Sequence, residues 1–196
     1  MKKFELTTEA QISFGKTLYR IKALISFGEV CAGDIGGWVE KEENLSHDGD
    51  AWVFGDALVF GNARVSGNAR VYGDAWVYGD AWVSGNARVY GDARVYGNAR
   101  VFGNAWVSGN AWVSGNAQVY GNAQVMWISN IGSRNGTTTF FATETGIYVN
   151  CGCFSGSLEA FAAAVDKNHG DSEHGKAYRL AIELAKLRIK LPEESE

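Results

Sequence analysis

The segment Gly85–Tyr120, GNARVYGDARVYGNARVFGNAWVSGNAWVSGNAQVY, consists of six copies of one six-residue word. The word is Gly, Asn or Asp, Ala, a first variable residue, Val and a second variable residue. It begins at Gly49 and recurs without insertion through Met126, thirteen times in all. A short, strictly fixed period is typical of a solenoid, in which each repeat is one structural unit that stacks on its neighbours.

The order of residues within the word predicts a short strand followed by a corner. Ala and Val are two residues apart, so their small apolar side chains share one face of a strand, and the variable residues point to the other face. Gly followed by Asn or Asp favours a turn, because these residues tolerate positive φ. We therefore expect an interior of stacked Ala and Val that is too narrow for a ligand. Any function then belongs to the outer faces or the ends.

The array resembles hexapeptide-repeat proteins, in which three words close one triangular, left-handed coil. The resemblance implies a mainly β fold, a left-handed parallel β-helix, over residues 49–126. Residues 1–48 are expected to form an N-terminal cap with a degenerate first coil, because Val39 and Leu45 precede Ala51 at intervals of six. Open strand edges at the ends of a solenoid need such covers.

The segment after the array, residues 127–196, is expected to form a small α+β module. Two turn signals, RNG at 134–136 and ETG at 144–146, lie between β-rich runs and indicate an antiparallel sheet. Two helices are predicted after it, over residues 155–170, with Ser155 or Ser157 as the N-cap, and over residues 174–191, ending before Pro192.

A coil of eighteen residues predicts which variable residues stack on one another. Arg88, Arg94 and Arg100 then form one coil with an arginine on every face, and Arg94 lies between Trp76 and Trp112. One interpretation is cross-strand packing through cation–π contacts. The other is recognition, because flat aromatic rings hold nucleobases and guanidinium groups hold phosphates. The predicted ligand-binding residues are Arg88, Arg94, Arg100, Trp76, Trp112, Tyr96 and Tyr78.

Composition excludes several classes of partner. A net charge of −4 and a pI of about 5.4 argue against binding of long nucleic acids. No apolar stretch approaches the ~20 residues of a membrane span, and the first residues lack the apolar core of a signal peptide, so we expect a cytoplasmic protein. The five Trp of the array are expected to point outward, which predicts self-association. The resemblance implies a homotrimer.

The histidines and cysteines raise two possibilities for a reactive site. Acyltransferases with this repeat usually need a histidine at a groove between subunits, but His47, His169 and His174 all lie outside the array. Cys151, Cys153, His169 and His174 follow one another in an order that resembles a zinc finger. The Cys-x-Cys spacing is tighter than usual, and we favour packing of these cysteines in the module. No cofactor is expected.

The whole chain resembles a family of phage and prophage hexapeptide-repeat proteins. The resemblance rests on TLYRIKAL (17–24), GDIGGWVEKEENLS (33–46), the array and CGCFSGSLEAF (151–161). It implies a viral origin and action inside a bacterial host. The expected function is non-enzymatic binding that sequesters a host nucleotide messenger of antiphage defence. The alternatives are a structural or adaptor protein that binds a host protein through the C-terminal module, and a hexapeptide-repeat acyltransferase.

Overall fold

The computed structural model describes residues 1–120, 125–143 and 145–191. Within these ranges the chain forms nineteen strands, two α-helices and a 3-10 helix at Glu42–Asn44. The strands and helices are β1 (Phe4–Ser13), β2 (Lys16–Ala23), β3 (Ile35–Val39), β4 (Trp52–Val53), β5 (Leu58–Val59), β6 (Arg64–Val65), β7 (Arg70–Val71), β8 (Trp76–Val77), β9 (Trp82–Val83), β10 (Arg88–Val89), β11 (Arg94–Val95), β12 (Arg100–Phe102), β13 (Trp106–Val107), β14 (Trp112–Val113), β15 (Gln118–Tyr120), β16 (Val125–Ile131), β17 (Gly136–Thr143), β18 (Gly146–Cys151), β19 (Phe154–Ser157), α1 (Leu158–His169) and α2 (Glu173–Arg188).

The array folds into a parallel β-solenoid, as the sequence predicts. Each word supplies one short strand, and each strand pairs in parallel with the strand three words away, so that Arg94 aligns with Trp76 on one side and Trp112 on the other. The first sheet contains β3, β5, β8, β11 and β14; the second contains β4, β7, β10 and β13; the third contains β6, β9, β12 and β15. The left-handed turn of the coil stays a prediction.

The interior is built from the two fixed apolar positions. The inward alanines and valines from Ala51 to Val119 are at most 1% exposed. Each word requires glycine for two reasons, which Gly85 illustrates. Its φ is +66°, and a Cβ there would come within 2.9 Å of the backbone nitrogen of Gly103 in the next coil. Only glycine combines a left-handed backbone with such close stacking of corners.

The N-terminal end of the solenoid is closed by side chains. In the middle of the array, a corner glycine carbonyl accepts a backbone N–H from the preceding coil, as Gly85 does from Asn68. The cap pairs with strands of the first coil, but no backbone N–H of the described residues reaches the corner glycines of that coil. Three side-chain donors replace it: Lys3 donates to Gly49 and Ala51, Arg20 to Gly55 and Asn44 to Gly61 and Ala63. Burial lowers the pKa of Lys3 to about 8, against the opposing charges of Asp50 and Asp48.

The cap also covers part of an outer face. The β1–β2 hairpin extends the first sheet antiparallel to β3. Trp52, which is expected to point outward, is only 1% exposed because Phe4 and Phe27 lie against it at 6.2 and 5.4 Å between ring centroids. Trp52 is in register with Arg70 on the outer side of the solenoid, but the cap removes it from the exposed apolar surface that was expected there. The first strand, β1, carries no repeat, and the sequence pattern does not identify it.

The C-terminal module contains the antiparallel sheet β16–β17–β18–β19 and both helices. Ser157 and Ser172 cap α1 and α2. Val125 and Met126, assigned to the solenoid from the sequence, lie in β16 and pair with β17. The rest of the thirteenth word, Glu144 of the second turn signal and Pro192 lie outside the described residues. In the described part of the chain, neither helix is long and apolar enough to span a bilayer.

Candidate functional site

The structure brings five of the predicted ligand-binding residues together on the first sheet. The guanidinium carbon of Arg94 lies 4.2 Å from the ring centroid of Trp76 and 4.9 Å from that of Trp112. Beside this stack, the rings of Tyr78 and Tyr96 are parallel within 4° at 4.9 Å. Both faces of the guanidinium group are thus covered by protein rings.

The outer face of the first sheet is largely filled. Phe60 stacks on Tyr78 at 5.0 Å, and Phe14 at the turn of the β1–β2 hairpin packs against Phe60 and, at 4.6 Å, against Trp76. Burial, aided by the neighbouring Tyr96, raises the pKa of Tyr78, and the charge of Arg94 opposes the rise. This geometry is that of cross-strand packing. Only the edges of the Arg94 guanidinium group remain for a ligand.

Arg88 and Arg100, the other two predicted arginines, lie on different sheets. Arg88 is on the second sheet, where its guanidinium carbon is 5.4 Å from the ring centroid of Trp106. Its neighbour in the coil before, Arg70, forms a 2.6 Å salt bridge with Glu29. Arg100 is on the third sheet. The three arginines therefore leave the solenoid in three directions, and one chain cannot gather them around one ligand.

The third sheet carries an open groove, which we call the third-sheet groove. Its second variable positions hold Ser66 and Ser84, where the first sheet has stacked Phe60 and Tyr78. The small serines leave space on both sides of Trp82. One cavity of about 600 Å³ is lined by residues that include Leu45, His47, Arg64, Ser66 and Trp82. The adjoining cavity of about 240 Å³ is lined by Trp82, Ser84, Arg100, Phe102 and Gln118.

Trp82 is accessible in this groove with two cations beside it. The residue is 45% exposed, and its indole Nε1 donates a 3.0 Å hydrogen bond to Ser66 Oγ. Among the described residues, no arginine stacks on the Trp82 ring, and the array arginine that forms a salt bridge is Arg70. The ring and the exposed guanidinium groups of Arg64 and Arg100 are therefore open to a ligand.

His47 lines the larger cavity, but both of its ring nitrogens are engaged. Nδ1 accepts the backbone N–H of Lys3 at 3.1 Å, so Nε2 carries the proton that is shared with Glu42 at 2.6 Å. The ring also stacks on Phe4 at 4.4 Å. The hydrogen bond with His47, together with one from Lys2, holds the pKa of Glu42 below its usual value. His47 thus offers no free lone pair to a reacting group in the groove.

The module contains a third cavity, of about 340 Å³, which Cys151, Cys153 and His169 help to line. The Cys151 thiol accepts a hydrogen bond from Thr138 at 3.1 Å and lies 3.5 Å from the Tyr178 hydroxyl, whose pKa is raised mainly by burial. The rings of His169 and His174 are 6.2 Å apart. Across the described ranges, no three His, Cys, Asp or Glu side chains are placed to hold a metal ion. The four candidate zinc ligands are therefore not brought together in the described part of the chain.

A coil of eighteen residues also aligns Arg64, Trp82 and Arg100 in one column, but Arg64 and Trp82 are not among the predicted ligand-binding residues. The sequence does contain a signal for this site, because the words that begin at Gly61 and Gly79 both end in serine. These words are one coil apart, so two small residues stack where the other faces carry aromatic rings.

The repeat itself has a known counterpart. Residues 63–79, 81–95, 93–109 and 105–121 match the family described as YdcK Beta solenoid repeat. The chain is a β-solenoid repeat protein. The matched segments contain Arg64, Trp82 and Arg100. No curated protein matches the chain. The phage origin stays a prediction.

Proposed function

We propose that the third-sheet groove binds a small anionic aromatic molecule of the nucleotide class, and that the protein holds this ligand without transforming it. The observation that carries the proposal is the exposed Trp82 ring between two exposed arginines, Arg64 and Arg100, in one column of the solenoid. No other column in the described residues combines an open ring with two arginines that are neither stacked nor in a salt bridge.

The chemistry of these groups suits a nucleotide. A base stacked on an aromatic side chain gains about 1–3 kcal/mol, and any base offers a flat face. Neighbouring strands lie ~4.8 Å apart, so the Cα atoms of Arg64 and Arg100 lie ~10 Å apart with Trp82 between them. A phosphate can therefore reach a guanidinium group while the base remains on the ring. The stacked coils fix the backbone beneath these residues, which limits the entropy lost on binding.

Binding without catalysis is supported by the state of His47. It is the one histidine that lines the groove, and its two ring nitrogens are committed to Lys3 and Glu42. General-base activation of a nucleophile there would need a free imidazole nitrogen. The resemblance to phage proteins favours, within the nucleotide class, a messenger of bacterial antiphage defence. Capture of such a messenger would silence the defence without any reaction.

The test is calorimetric titration of the full chain with a panel of mononucleotides and cyclic mono- and dinucleotides. For any nucleotide that binds, Trp82→Ala is expected to lower the affinity about 5- to 150-fold, as the loss of one stacked base implies. Trp106→Ala is the matched control, since Trp106 is also 45% exposed but lies on the second sheet. The proposal fails if no nucleotide binds, or if the two variants lose affinity equally.

A further inference from the structure

Helix α2 carries apolar side chains on two sides. One side packs in the module, where Tyr178, Ala181, Ile182 and Ala185 are buried. The other side exposes a row of leucines, which we call the leucine row: Leu180 and Leu187 are 73% exposed and Leu184 is 45% exposed. A surface helix ordinarily presents polar residues opposite its buried face. The chain alone therefore leaves one apolar side of α2 exposed.

The spacing of the leucine row is that of a helix–helix seam. Leu180, Leu184 and Leu187 are separated by four and then three residues, the interval at which paired helices meet. The helix that carries them is firmly built: Ser172 accepts the N–H of Gly175 at its start, and the N–H of Ile189 closes its last turn on Ala185. The row therefore lies on a helix that is closed by hydrogen bonds at both ends.

The charges on the two rims of the leucine row indicate what covers it. At 100° per residue, Glu183 falls on one side of the row and Arg188 on the other. Lys186 of the same helix donates to Glu183 Oε1 at 2.8 Å, and this exposed carboxylate has a second oxygen to offer. When identical helices pack in parallel around a rotation axis, the rim of one helix faces the opposite rim of the next. Glu183 would then meet Arg188 of the partner subunit. In an antiparallel pair centred on the row, Glu183 would instead face a second Glu183.

We propose that the leucine row is the surface on which a second copy of this chain docks, with the two α2 helices parallel. The proposal rests on the seam spacing, the exposure of the leucines and the complementary rims, and it is independent of ligand binding in the third-sheet groove. It places the interface of the expected homo-oligomer on the C-terminal module instead of on a face of the solenoid. The same pairing of rims holds around a two-fold or a three-fold axis.

The first experiment measures the mass of the full chain in solution by light scattering across the micromolar range. The parent is expected to be an oligomer, and the double variant Leu180→Glu/Leu187→Glu a folded monomer. Ile12→Glu is the control, because Ile12 is 80% exposed in the N-terminal hairpin and should leave the mass unchanged. A monomeric parent, or a double variant that keeps the mass of the parent, overturns the proposal. Circular dichroism confirms that each variant is folded.

The second experiment tests the parallel arrangement by exchanging charges. Glu183→Arg and Arg188→Glu are each expected to weaken association about three- to tenfold, since each sets like charges against each other at exposed rims. The double exchange is expected to restore the affinity of the parent. Restoration reports contact between subunits, because residues five apart on one helix lie on different sides of it. If the double exchange associates no better than the single variants, the parallel pairing is wrong.

Discussion

Arg94 and Arg100 occupy the same position in two neighbouring words, GDARVY and GNARVF, yet the solenoid uses them differently. The Arg94 guanidinium group lies between two tryptophan rings, whereas Arg100 is exposed beside a cavity. The repeated word determines the path of the backbone and the direction in which each side chain points. The residues one coil before and one coil after decide whether that side chain packs or stays free.

The difference between the two faces arises at the second variable position. On the first sheet, the rings of Phe60, Tyr78 and Tyr96 stack at about 5 Å. On the third sheet, Ser66 and Ser84 leave cavities, and the hydrogen bond from Trp82 to Ser66 fixes the indole in the open column. The residue type at the second variable position, aromatic or serine, thus distinguishes the packed face of the first sheet from the accessible face of the third.

The largest expected effect concerns the interior that the two faces share. Val83 lies under the third sheet and Val95 under the first, and both are fully buried. Val83→Asp and Val95→Asp are each expected to lower the free energy of unfolding by about 3–5 kcal/mol, because an unpaired charge enters a closed apolar stack. Urea denaturation measures both. A soluble Val83→Asp protein with the melting temperature of the parent would mean that the assignment of inside and outside is wrong.

The next prediction compares the outer tryptophans of the two faces. Trp76 contacts both Phe14 and Arg94, whereas Trp82 is 45% exposed. We expect Trp76→Ala to lower the free energy of unfolding by about 1–2 kcal/mol more than Trp82→Ala, since it removes an aromatic pair and a cation–π contact. Urea denaturation of the two variants gives the difference directly. Equal losses would show that the faces are packed alike.

A single substitution should make the outer face of the third sheet more like the packed face of the first. Ser84→Tyr is expected to stack its ring on Phe102, as Tyr78 stacks on Tyr96, and to raise the free energy of unfolding by about 0.5–1.5 kcal/mol. The same ring would fill the smaller cavity and lower ligand affinity, while Ser84→Ala should leave the cavity open. Thermal unfolding and calorimetric titration measure the two effects. A Ser84→Tyr protein that binds ligand like the parent would place the ligand elsewhere.

The smallest expected effect is electrostatic. Removing the charge of Arg94 should raise the pKa of Tyr78 further, because the phenolate loses a nearby cation. Arg100→Gln, on another sheet, should leave it unchanged. Because the fold raises the pKa of Tyr78, the protonated phenol contributes to the free energy of unfolding. This contribution is complete below the ordinary pKa of 10.0 and is lost as the pH rises through the raised pKa. NMR titration of Tyr78 in both variants would detect the difference, and equal shifts would contradict it.

The six-residue period predicts the buried Ala and Val positions. Together with the three words per coil that the resemblance to hexapeptide-repeat proteins implies, it also predicts the position of Arg94 between Trp76 and Trp112. The burial of Trp52 could not be predicted from the sequence. Phe4 and Phe27, which cover it, are more than twenty positions away along the chain and lie in segments without a repeat. The third-sheet groove could not be predicted from the period either, since it depends on side-chain volume and on one hydrogen bond of Trp82.

The central claim is that Arg100 faces a ligand while Arg94 serves packing, and one paired measurement tests it. The parent, Arg94→Gln and Arg100→Gln are titrated calorimetrically with the nucleotide that binds the parent most tightly. We predict that Arg100→Gln binds about 10- to 150-fold more weakly, as the loss of a charge-assisted contact of about 1.5–3 kcal/mol implies, and that Arg94→Gln binds like the parent. A loss of affinity in Arg94→Gln with none in Arg100→Gln would contradict the account.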